Sequence, residues 1–215
     1  MQGLRLAAHI HYGICAGQRI FLDLEADRYF QLPAEEDRHF EALEDGGFVP
    51  ASGCALLVRA GILTYSAVGR PIGPAECAMP ASSMVEQAPV PVQFGVGSIA
   101  EVWRDLWIAR RIVHRRRLPA LLADARAGDL PGAGAGPETS VRQFLAVRKL
   151  IPFAPNCLRD SLALRRFLIR RRIGVQLIIG AKLYPFAAHC WLQHGEMVLN
   201  DSLSGAKGFA PILVL

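Results

Sequence analysis

The chain has 215 residues, of which 52% are hydrophobic and 20% charged, with a formal net charge of +5. This is the composition of a folded globular protein, one sizeable domain or two small ones, and it excludes a disordered chain. No apolar run reaches the roughly 18 residues of a membrane helix. Arg5, His9 and His11 interrupt the N-terminus where a signal peptide needs an apolar core, so a cytoplasmic protein with no membrane span is expected. The five cysteines, Cys15, Cys54, Cys77, Cys157 and Cys190, are odd in number, irregularly spaced and free of any CxxC pair. Reduced thiols and no metal site follow.

Leu4 to Cys15 is rich in apolar and aromatic residues and reads as strand, followed by a turn at Ala16-Gly17-Gln18. Arg19 to Leu24 alternates, with Ile20, Leu22 and Leu24 on one face. A polar turn then leads to a third strand from Arg28 to Leu32, giving a small antiparallel meander. Pro33 can occupy a first helical turn, where Glu35, Glu36 and Asp37 suit the positive helix end, and Gly46-Gly47 stops this helix. Ser52 is positioned to cap a second helix that buries Leu56, Leu57 and Ala60 and ends at Gly61. The segment from Gly69 to Val92 carries five prolines and little periodicity and reads as a linker. The expected organisation is therefore 1–68, a small domain; 69–97, a linker; and 98–215, a second domain.

Ser98 opens a long helix predicted to run to about Arg117, with Val102, Leu106, Ala109 and Val113 at helical spacing. A Gly/Ala/Pro loop covers Gly128 to Pro137. A helix from Thr139 or Ser140 carries Val141, Phe144 and Leu145 and ends before Pro152 and Pro155, and a further helix starts beside Asn156. Beyond Gly174 the pattern becomes strand-like over 175–179, 187–192 and 197–199, with His194-Gly195 as a hairpin turn. Helices followed by an antiparallel sheet make an α+β plan. Arginines cluster at Arg110, Arg111 and Arg115 to Arg117, and again at Arg165, Arg166 and Arg170 to Arg172. No aromatic residues interleave with them as a stacking platform requires, so solvated helix faces are expected and no nucleic-acid partner.

Cys157 directly follows Asn156, a good N-cap, which places its sulfur in the first turn of a helix. Unpaired backbone N–H groups and the helix dipole there favour a thiolate, and the same groups can hold an oxyanion. An isolated cysteine is otherwise a small buried apolar residue. His189 shares a strand face with Ala187 and Trp191, and small neighbours leave room for a helix to approach. The following hairpin returns the chain to Asn200-Asp201, so Asp201 can orient His189, giving nucleophile, base and orienter in the order Cys, His, Asp. Cys190 points to the opposite face and reads as a core residue.

The run Cys157 to Leu164, Gly174, Gly180, Pro185 to Trp191 and Asn200-Asp201 resembles the lasso peptide biosynthesis B family, transglutaminase-like (papain-type) leader peptidases. The resemblance covers Val141 to Leu215. It implies a transglutaminase-like cysteine peptidase domain with Cys157, His189 and Asp201 as catalytic residues. Residues 5–63, with the segment Leu56 to Leu63, resemble the PqqD-like leader-recognition module fused to such enzymes, which is winged-helix-like. Such modules bind a peptide by strand addition, which implies Tyr29, Phe30, Leu32 and Leu57 as leader-binding residues. As partners the resemblance implies a precursor peptide leader and an asparagine-synthetase-like lasso cyclase. It also implies a nucleotide requirement, although the chain has no GxxxxGK[ST] loop and no directly bound cofactor is expected. Two alternatives stand beside leader cleavage. One is a transglutaminase-like acyltransferase using the same three residues. The other is a non-enzymatic peptide- or nucleic-acid-binding module, for which the apolar Leu56, Leu57 and Val58 leave only Arg59 to meet a phosphate.

Overall fold

Residues 20–22 are consecutive apolar side chains, and all three are buried. Successive strand side chains point to opposite faces, so this strand must be covered on both sides. The computed structural model describes residues 3–66, 71–114 and 136–215 and shows how. Strands β1 (Gly3–Leu6), β2 (Ile10–Cys15), β3 (Gln18–Asp23) and β4 (Arg28–Phe30) are followed by helices α1 (Ala34–Glu44) and α2 (Ala51–Arg59) and by β5 (Leu63–Ser66). β2, β3 and β4 form an antiparallel sheet. On one of its faces Ile10, Tyr12 and Phe21 pack with Phe40 and Leu57. On the other, Cys15, Ile20, Leu22 and Leu24 enter the core of the C-terminal half.

That half contains α3 (Val96–His114), α4 (Glu138–Arg148), α5 (Cys157–Ile169) and α6 (Leu203–Lys207). Its five-stranded sheet runs β10 (Ala210–Val214), β7 (Gln176–Lys182), β8 (Ala187–His194), β9 (Met197–Val198) and β6 (Ser82–Ser83). Neighbours are antiparallel except β6 and β9, which are parallel. α5 packs its Leu162, Ala163, Leu164, Phe167 and Leu168 into the main core between α3 and the sheet. The fold is α+β, with a small N-terminal sheet and helices and a transglutaminase-like C-terminal half.

Several expectations change. Leu4 to Cys15 is two strands, split where the Ile10 N–H donates to the Ala7 carbonyl at 2.9 Å. β1 leaves the meander and pairs with β5, bringing Leu6 opposite Leu63 over Leu57 and Phe40. The third strand ends at Phe30, so Leu32 lies beyond it. α2 starts at Ala51 because the Pro50 carbonyl accepts from Gly53 and Cys54; Ser52 sits inside the first turn. α3 starts at Val96 for the same kind of reason, the Gly95 carbonyl accepting from Ser98 and Ile99. Arg115 to Arg117 and residues 128–135 of the expected loop lie outside the described residues.

Residues 71–97 are more than a linker. The Ala75 N–H donates to the Tyr12 carbonyl at 2.8 Å, and Gln193 Nε2 donates to the Ala78 carbonyl at 2.6 Å. Ser82–Ser83 forms β6, and Met84, 2% exposed, fills the main core. Prolines keep most of this segment out of regular helix, yet its backbone groups serve both halves. The second arginine cluster is a solvated face only in part, at Arg170 and Arg172. Arg165 is buried, Arg170 pairs with the fully buried Asp105 of α3, and Arg171 donates to Glu101 at 2.7 Å while lying over the Phe167 ring. Among the described residues no helix is long and apolar enough to cross a membrane.

Candidate active site

The Asn156 side chain accepts from the Arg159 N–H at 2.9 Å and caps α5, which makes Cys157 its first residue. The loop before it is held from both sides. Arg148 donates to the Ile151 and Phe153 carbonyls and to Asp160, while the Asn156 N–H and the Arg159 guanidinium also reach Asp160. Cys157 thus sits on a clamped helix start, not a free loop.

His189 lies on β8 opposite Gly180 of β7. Its ring is tilted against Phe209 at 5.1 Å and stacked on Trp191 at 6.2 Å between centroids. Nε2 hydrogen-bonds Asp201 Oδ2, and Cys157 lines the same small cavity as His189, close enough for the two groups to shift each other's titration. Asp201 follows β9 and is fixed in turn. Its Oδ1 accepts from the Ser202 N–H at 2.8 Å, and its carbonyl accepts from Ser83 Oγ. The structure therefore brings Cys157, His189 and Asp201 together.

The electrostatics follow from these contacts. The hydrogen bond from His189 holds the Cys157 thiol below its ordinary 9.0, against burial, with help from the backbone N–H groups of Cys190 and Leu158. The bond to Cys157, then that to Asp201, lifts His189 above its ordinary 6.5, again against burial. Both shifts favour a thiolate–imidazolium pair. Cys190 is buried in the main core and its thiol is pushed up by desolvation, so it remains a neutral core residue.

Tyr29 and Phe30 diverge. Tyr29 packs against the main core and lines a small cavity of about 160 Å³ together with Leu22, Asp27, Cys157, Ala188 and His189. Phe30 stacks on Phe21 at 5.3 Å inside the N-terminal cluster, against which Leu32 is half-buried. Leu57 is fully buried in that cluster and presents no surface to a peptide. Sequence reasoning missed the supports of the site: Ser83; Asn200, which accepts from the Leu192 N–H and donates to Ser161 Oγ; and Phe209. Asn200 beside Asp201 was a visible signal. Ser83, in a proline-rich stretch, carried none.

A cysteine at a capped helix start, beside a histidine that is hydrogen-bonded to an aspartate, is an arrangement that can support nucleophilic catalysis. Residues 100–214 match the transglutaminase-like superfamily, and the chain belongs to that family. It is also similar to the microcin J25-processing protein McjB of Escherichia coli, 42% identical over 50 residues, which are 23% of this chain and 24% of that protein. The match thus spans about a quarter of the length of this relative. No solved structure matches the chain.

Proposed function

We propose that the protein is the leader peptidase of a lasso peptide pathway, removing the leader from a ribosomally made precursor. The observation that carries the reading is the meeting of Cys157, at the capped start of α5, with the hydrogen-bonded His189–Asp201 pair in one small cavity. The likeness to a microcin-processing protein points to the substrate class. In this reading the Cys157 thiolate attacks the scissile carbonyl carbon. The C–N bond breaks as His189 passes its proton to the leaving amine of the core peptide. The leader remains as a thioester on Cys157. Water then attacks that carbonyl, His189 taking its proton, and the leader leaves with a free carboxylate. Asp201 holds the imidazole in one orientation throughout. The N-terminal module grips the leader, and the freed core amine passes to an asparagine-synthetase-like cyclase that closes a macrolactam. This chemistry needs no cofactor on the chain itself, so a nucleotide requirement of the pathway would belong to the cyclase.

Incubation of the purified chain with a cognate precursor tests the reading. Wild type should release leader and core, and Cys157→Ala should lower the rate by about a thousandfold or more. Cleavage by the alanine variant at the wild-type rate sinks the triad. Membership of the transglutaminase-like superfamily favours one second reading, acyl transfer to an amine. Product masses separate the two: hydrolysis leaves a free leader acid, transfer a conjugate.

A further inference from the structure

The cavity around Cys157 is not built by the C-terminal half alone. Leu158, Ala188, His189 and Cys190 form one side, while Leu22, Asp27 and Tyr29 come from the β3–β4 hairpin of the N-terminal sheet. Tyr29 is mostly buried there. Its ring makes an edge contact with Phe186, 5.4 Å between centroids, just before the strand that carries His189. Among the described residues its hydroxyl makes no hydrogen bond, so this donor is uncommitted at the rim of the cavity that holds Cys157 and His189. Burial, with Cys190, Asp27 and Cys157 nearby, raises its pKa, so the group stays an O–H donor and never becomes a competing anion. The hairpin is also held firmly. Its sheet shares the main core through Ile20, Leu22 and Leu24, and β2 crosses β10 so closely at Gly13 that a Cβ there would overlap the Pro211 carbonyl oxygen.

We infer that Tyr29 is a catalytic residue of the Cys157 site: its hydroxyl donates a hydrogen bond to the carbonyl oxygen of the scissile bond as that oxygen becomes an oxyanion. This deepens the proposed function and rests on it for the identity of the substrate. The N-terminal module is then a piece of the active site as well as a grip on the leader. When the Cys157 sulfur adds to the carbonyl carbon, the C=O electron pair moves onto oxygen, and Tyr29 O–H meets it without transferring its proton. The bond forms only as charge develops, so its loss should appear in kcat and leave KM alone.

Tyr29→Phe keeps the ring and its contact with Phe186 and removes only the donor. Two readouts separate this inference from the leader-peptidase reading: cleavage of a precursor, and acylation of Cys157 by p-nitrophenyl acetate, which develops the same oxyanion without any peptide. Tyr29→Phe should lower kcat for cleavage and the acylation rate by about 10- to 100-fold, at the lower end of what loss of an oxyanion donor causes. KM, leader affinity and the rate of Cys157 alkylation by iodoacetamide should stay at wild-type values, since these report binding and the thiolate. If wild type does not cleave the precursor, the proposed function falls, and the ester alone decides on Tyr29. Wild-type acylation by Tyr29→Phe overturns the inference. So does a rise in KM or loss of leader affinity at unchanged kcat, which makes Tyr29 a binding residue only. So does an equal drop in alkylation, which makes it a support of the thiolate.

Discussion

The two sides of the Cys157 cavity are made in different ways. On the C-terminal side each element is local. An Asn cap fixes Cys157, and a strand followed by a short turn sets Asp201 against His189, only 12 residues away in the chain. On the N-terminal side nothing is local. Tyr29 reaches the cavity only because β3 is covered on both faces, Phe21 turning to the helices of its own module and Leu22 to the core of the other half. Chemistry written in neighbouring residues is visible as a motif. A side chain delivered by one module into the site of another is visible only after the modules dock.

The largest effect that sharpens this contrast should come from His189→Ala. It removes the proposed proton carrier and the main cause of the lowered Cys157 pKa, so cleavage should fall by about 10³-fold or more. The sign of the pH dependence is set by the same pair. A lowered thiol and a raised imidazole both favour the ion pair. Activity should fall on the acid side as the thiolate is protonated, and on the alkaline side as His189 loses its proton. In His189→Ala the pH midpoint of Cys157 alkylation should move up toward or above 9.0, the ordinary thiol value. A midpoint that does not move breaks the picture of the C-terminal side as electrostatically self-contained.

The seam between the regions is tested by one methyl group. Gly13→Ala drives a Cβ into the Pro211 carbonyl and should cost about 2–3 kcal/mol in chemical denaturation. Gly3→Ala, also on a strand but with nothing near its added Cβ, should leave stability within about 1 kcal/mol of wild type. Equal behaviour of the two variants means that the halves do not dock as described. Smallest is Asn156→Ala, which deletes the α5 cap. It should cost about 1 kcal/mol of stability and slightly raise the alkylation midpoint of Cys157, because the first turn loses its fixed geometry. A stability loss with no change in the midpoint would make the cap structural only.

The sequence by itself determined the α+β order of elements, the helix starting at Cys157, the burial of Cys190 and the closeness of His189 to Asp201. Each depends on neighbours within a few residues or on one hairpin: a cap side chain, a strand alternation, a tight turn at Gly195. Only the tertiary structure decided where the proline-rich stretch goes. β6 is two residues long, too short for any periodic signal, and its place beside β9 depends on a strand more than a hundred residues further on. The same holds for Arg170 and Arg171 just past α5, whose pattern of charge is that of a solvated face until α3 supplies Asp105 and Glu101. It holds for Tyr29 and Phe30, adjacent residues on one short strand. Strand geometry dictates that they point opposite ways, but which of the two faces Cys157 is set by the docking of two buried sheet faces, and no local pattern encodes that.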